Sequence, residues 1–472
     1  MECDRGRPVG TSSISEVSGG SFFFRRVLLP TGWAQDARVT TTRDGVIRDV
    51  QCNTVAAPDD TKADTVIPGI ANVHSHAFQR GMAGLAEKAR RNGDNFWTWR
   101  EVMFRFATKL TPDDVEAIAA LAYVEMLERG FNRVGEFHYL HHSGDGSRYA
   151  DPAEMAKRIA AAAHETRIGL TLLPVLYTRA GFDGGALHPG QMRFISDIEE
   201  FARLVDACRR LVSSNPECVV GVAPHSLRAV TPGELHAVLK LGAGGPIHIH
   251  AAEQQLEVDE CIAHLGTAPV EWLIDNADVD DRWCFVHATH ITETEAVLLA
   301  RSGGVVGACP VTEANLGDGI FPLEAYQTRK GVLGVGTDSN IMIGLADELR
   351  ALEYSQRLAQ ERRNIAADGA VLSTGRVLFN AAGEGGARAM GTRWGIAAGQ
   401  PADFVALDTE NESLCAFEGD DLLDTFIFSS RGRVIKDVWR AGQHIVKDGS
   451  HIHRAAIAAR YRKTLKALVA SL

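Results

Sequence analysis

The sequence has no run of about 20 apolar residues, so nothing in it reads as a membrane-spanning helix. It has no CxxC pair and no dense cysteine spacing. Its eight cysteines (Cys3, Cys52, Cys208, Cys218, Cys261, Cys284, Cys309 and Cys415) are scattered singly, which excludes a disulfide scaffold and fits reduced thiols in a cytosol. Basic residues form no block beyond short pairs such as Arg90-Arg91 and Arg209-Arg210, and the formal charge is -11. Such a surface argues against nucleic-acid binding. An anionic ligand would need a locally positive pocket, so isolated arginines near chemical motifs gain interest. Residues 1–20 are rich in Ser and Gly and lack the apolar core of a signal peptide, which predicts a flexible leader.

What is present suits a soluble α/β enzyme: 45% hydrophobic and 23% charged residues with 46 glycines, in a chain of 472. That length exceeds what one core holds and predicts a large barrel plus a second module. Short β-like runs occur at Phe22-Phe23-Phe24, Gly45-Val46-Ile47 and Thr65-Val66-Ile67. Eight apolar runs then alternate with helical stretches, beginning at Ile70, Val134, Leu170, Val219, Ile247, Cys284, Gly304 and Val332. Amphipathic segments at 113–128, 152–166 and 199–211 lie between them. The pattern predicts a (β/α)8 barrel over 70–396, preferred to an open doubly wound sheet because chemically useful residues follow nearly every run. Strand-like runs near 401–407 and 434–439 are assigned with residues 21–69 to a small composite β-sandwich (21–69 and 397–472), closed by a helix from about 455 to 472.

The first barrel run ends in His74-Ser75-His76, and strand residues i and i+2 share a face, so both imidazoles can reach one ion. The fifth ends in His248-Ile249-His250-Ala251-Ala252-Glu253, where His250 is preferred as ligand because it lies nearer the strand's C-terminal end. The sixth ends in His287, with His290 three residues on, and the eighth in Thr337-Asp338-Ser339-Asn340. Three imidazoles and one carboxylate make a set suited to zinc, although iron and manganese accept the same donors. A bound divalent metal lowers the pKa of water to about 7. Around it Asp338 would accept the water proton, Glu253 would protonate a departing nitrogen, and His287 would hydrogen-bond the water and the tetrahedral adduct.

This arrangement of HxH after the first strand, His after the fifth and sixth, and Asp after the eighth resembles the amidohydrolase superfamily over most of the chain. The fourth run leads into Ala223-Pro224-His225-Ser226-Leu227-Arg228, with no lysine to bridge two metals. The resemblance is therefore to the mononuclear deaminase branch, with one divalent ion held by His74, His76, His250 and Asp338. The segments 68–80, 96–101, 136–142 and 315–322, with His225-Ser226-Leu227-Arg228, look like the formimidoylglutamate deiminases. That family implies a small dicarboxylate substrate, contacted by Gln79, Arg100, Tyr139, His225 and Arg228, with Arg80 and His138 as weaker candidates. A homodimer is implied too. Arg100 and Arg228 suit carboxylates because a guanidinium forms a charge-assisted fork. The competing expectations are a deaminase of nucleobases or S-adenosylhomocysteine-like substrates, and a catalytically dead scaffold. Trp97 and Trp99 are read as packing aromatics.

Overall fold

The computed structural model describes residues 19–89, 91 and 93–472; the predicted leader lies almost entirely outside these. Eight parallel segments form the barrel: Ile70–Ser75, Phe131–His138, Gly169–Leu176, Cys218–Val220 continued by Ala223–Pro224, Ile247–Ala251, Trp283–His287, Val305–Ala308 and Val332–Val335. They are hydrogen-bonded in chain order, with the eighth pairing the first through Val335 and Asn72. The fourth is interrupted at Gly221-Val222, and a parallel bridge from Val222 to Ile247 completes the circle. The break has a cause: a Cβ on Gly221 would lie 2.4 Å from the Pro246 carbonyl oxygen, so the backbones approach too closely for a side chain.

Helices follow the strands and begin where their residues can satisfy free N–H groups. Thr111, Thr231 and Thr292 each cap a helix, and each is answered by an acidic residue three positions on (Asp114, Glu234, Glu295) that accepts the cap's own N–H. One further helix, Thr374–Ala389, was not anticipated. It packs along the first and eighth barrel strands, and Gly385 permits this, since a Cβ there would sit 2.0 Å from the Leu333 carbonyl oxygen.

The chain ends meet in one eight-stranded path. Its centre is Thr61–Pro68 antiparallel to Phe404–Leu407, with Ser21–Leu29, Gly32–Thr41 and Ile47–Gln51 on one side and Ile435–Arg440, Gln443–Lys447 and Ser450–His451 on the other. Phe22, Phe24, Phe404 and Trp439 fill its core, the Phe22 and Phe404 rings edge to face at 5.0 Å. Burying such a ring is worth about 1.5–3 kcal/mol. Thr61–Pro68 runs on through Gly69 into the first barrel strand, which fixes the sheet against the barrel's N-terminal end. No described helix is long and apolar enough to cross a membrane.

Candidate active site

Barrel closure gathers the predicted residues at the C-terminal ends of the strands. His74 and His76 project from the first strand with Nε2 atoms 3.2 Å apart, and His250 Nε2 lies 3.1 Å from His74 Nε2. Asp338 Oδ1 stands 3.4 Å from His74 Nε2 and 3.3 Å from His76 Nε2. All four are buried. Asp338 is placed by a network that clips the eighth strand's end to the first: Asn72 Nδ2 donates to Thr337 Oγ1 at 2.7 Å, and Asn340 Nδ2 donates to Ser75 Oγ at 3.1 Å.

Three imidazole nitrogens this close need something between them. His76 Nδ1 meets the Phe137 carbonyl at 2.9 Å and His250 Nδ1 the His225 carbonyl at 3.2 Å, so the proton of each ring belongs on Nδ1. The Nε2 lone pairs then face one another. Burial lowers the pKa of all three rings, that of His74 to about 3, so no proton relieves the contact. A divalent cation accepting these lone pairs beside Asp338 satisfies the set, and the carbonyl partners hold the His76 and His250 rings in ligating orientation. His248 takes no part: its Nε2 bonds the Ala389 carbonyl at 2.8 Å, on the unanticipated helix.

Glu253 and His287 stand beside this cluster, Oε1 to Nε2 at 3.7 Å, and Asp338 Oδ2 lies 3.9 Å from the same His287 nitrogen. Burial raises the pKa of Glu253, against the pull of His287 and Arg228. Burial disfavours charge on His287 as well, yet Glu253, Glu313 and Asp338 bring its pKa up to about 10. The backbone is strained where it presents these groups: Ala252, His287, Ala288 and Asp338 take left-handed φ values of 53°, 72°, 51° and 42°. Such residues cost on the order of 1–3 kcal/mol each and cluster at functional sites.

A cavity opens onto the cluster, lined by His76, His250, Glu253, His287 and Asp338 and also by Gln79, Arg100, Tyr139, His225 and Arg228. Gln79 Nε2 donates to Tyr139 Oη at 2.8 Å. Arg228 approaches Glu253 at 3.7 Å and Glu257 at 3.9 Å, and Arg100 stacks on Trp97 at 4.4 Å. Arg80 turns away to Glu125 at 2.7 Å and is not in the wall. His138 is buried but likewise outside it. Trp99, read as packing, lines the cavity, as do Phe96, Phe104 and Tyr177. Tyr177 follows the third strand by one residue and carried the same positional signal as its neighbours.

The model of the amidohydrolase family matches residues 65–445. The chain belongs to the amidohydrolase family. A formimidoylglutamate deiminase of Pseudomonas aeruginosa is 46% identical over 433 residues, covering 91% of this amidohydrolase and 95% of the relative. A 5-methylthioadenosine/S-adenosylhomocysteine deaminase of Natronomonas pharaonis is 27% identical, covering 92% and 93%. The crystal structure of an amidohydrolase from Brucella melitensis superposes with a TM-score of 0.92 at 50% identity, over 95% of this chain and all of that one.

Proposed function

We propose that this amidohydrolase converts N-formimino-L-glutamate and water to N-formyl-L-glutamate and ammonia. One observation carries the reading: two guanidinium groups, Arg100 and Arg228, share the wall of one cavity with a cluster suited to a divalent cation. A dicarboxylate bearing a formamidine-like end needs both features at once. The 46% identity to a formimidoylglutamate deiminase supports the same substrate, against 27% for the S-adenosylhomocysteine-type relative.

In this reading His74, His76, His250 and Asp338 would hold one divalent ion, zinc, which lowers the pKa of water toward neutrality and polarises the formimino carbon–nitrogen bond. Arg100 and Arg228 fix the carboxylates, while Gln79, Tyr139 and His225 take the remaining polar contacts. Asp338 accepts the proton of the attacking water. His287, on which the neighbouring carboxylates favour a proton, donates to the oxygen of the tetrahedral adduct. Glu253, whose raised pKa keeps a protonated fraction available, delivers its proton to the leaving nitrogen. A homodimer working in cytosolic histidine degradation completes the proposal and rests on family resemblance. Incubating the metal-loaded protein with N-formimino-L-glutamate tests it: ammonia and N-formyl-L-glutamate should appear in equal amounts, and release of neither would overturn it.

A further inference from the structure

Asp318 is a buried carboxylate that the proposed reaction does not use. It belongs to the loop after the seventh barrel strand, where the helix Pro310–Leu316 stops at Gly317. The loop is tightly held: the Asp318 N–H donates to the Glu313 carbonyl at 2.9 Å, and His290 Nε2 meets the Asp318 carbonyl at 2.6 Å. Gly319 permits the turn: its φ is 136°, and a Cβ added there would lie only 3.0 Å from Thr289 Cγ2.

The two oxygens of Asp318 differ. Oδ1 accepts a hydrogen bond from Gln254 Nε2, the residue next to Glu253, whereas Oδ2 is buried with no partner. Gln254 stands at the start of the helix Gln255–Leu265, yet its side chain makes no cap to that helix. It reaches across to Asp318 instead. Glu253 itself follows the strained Ala252 and has its N–H on Glu257 Oε2 at 3.2 Å. Burial disfavours an ionised Asp318, and the nearby Glu253 charge adds to that effect.

We propose that Asp318 and Gln254 are a positioning pair for Glu253: the amide anchored on Asp318 Oδ1 fixes the strained turn and gives the Glu253 carboxyl a single orientation toward the leaving nitrogen. The pair acts through Glu253 and touches no substrate. This inference rests on the proposed role of Glu253 in deimination.

The test is a double-mutant cycle in the metal-loaded enzyme with N-formimino-L-glutamate, recording kcat, KM and metal content. A misplaced proton carrier costs about ten- to a hundredfold, so Asp318→Ala and Gln254→Ala should each lower kcat by that factor with KM nearly unchanged and the metal retained. The double variant should be no slower than either single one, because the two groups act as one unit. Asp318→Asn keeps a carbonyl acceptor for Gln254 and should recover most of the rate. In a Glu253→Gln background, Asp318→Ala should cost nothing further. Losses that multiply in that background, or a kcat within twofold of wild type in Gln254→Ala, overturn the proposal. Gln254→Ala carries the test alone where Asp318→Ala does not fold. Absence of wild-type turnover would instead refute the functional reading, which keeps the two failures distinct.

Discussion

Glu253 Oε1 lies 3.7 Å from His287 Nε2, and the other side of the same imidazole, Nδ1, is 3.3 Å from Glu313 Oε1. One ring thus lies between two carboxylates, 1% exposed, with a third carboxylate, Asp338, at 3.9 Å. The surrounding carboxylates favour a proton on the ring, and burial raises the pKa of Glu253 beside it.

Glu253→Gln preserves shape and removes the titrating group. It should retain the metal and lose about 10²- to 10⁴-fold in kcat, the usual worth of general acid–base help. Burial raises the Glu253 pKa, so the wild-type rate should carry a limb displaced upward from the ordinary carboxylate range, falling as the proton is lost, and that limb should vanish in the variant. Rate and metal content measured together across the neutral pH range check both points.

His250→Ala should abolish tight metal binding, since it removes one of three converging Nε2 atoms. His248→Ala should keep the metal and lose only stability, about 1–3 kcal/mol, by leaving the Ala389 carbonyl unpaired. Elemental analysis of the two purified variants separates them. Full occupancy in His250→Ala would move the ligand to another residue.

Glu136, two residues before His138, receives the Ala77 N–H at 2.8 Å and the Tyr123 hydroxyl at 3.1 Å, and burial pushes its pKa up to about 8 from 4.5. A carboxyl raised in the fold binds a proton that the unfolded chain has already released. Its contribution is therefore full below about pH 4.5 and is lost as pH rises toward 8. A tenfold change in proton affinity is about 1.4 kcal/mol, so the loss between about pH 5 and 8 is on the order of 4 kcal/mol. Urea midpoints should fall over that range in wild type and much less in Glu136→Gln; equal slopes would contradict the assignment.

Arg228→Ala should lower kcat/KM for N-formimino-L-glutamate by about tenfold to more than a hundredfold, the worth of a charge-assisted hydrogen bond. Metal content should not change. An unaltered kcat/KM at full metal occupancy would remove Arg228 from the carboxylate pocket.

Much of this site was legible because strand periodicity is short-range. His74 and His76 declare a shared face by their spacing, and Asp338 and Glu253 by following apolar runs. What escaped was set by partners distant in sequence. Nothing in His248 itself says that Ala389, 141 positions further along the chain, would claim its nitrogen. Asp318 and Gln254 are 64 positions apart and meet only after the fifth, sixth and seventh barrel strands have assembled side by side. The pairing of Thr61–Pro68 with Phe404–Leu407 is likewise invisible locally, although both segments read as strands. The break at Gly221 depends on the Pro246 backbone, which the apolar run Val219 to Val222 does not reveal.

In the proposed function a divalent-cation cluster and two arginines in one cavity together select a small dicarboxylate carrying a formimino group. This selectivity is measured most directly as kcat/KM, at matched metal occupancy, for N-formimino-L-glutamate against guanine, cytosine and S-adenosylhomocysteine. N-formimino-L-glutamate should be the best substrate by orders of magnitude, and Arg228→Ala should erode this preference. A higher kcat/KM for any of the other three compounds would contradict it.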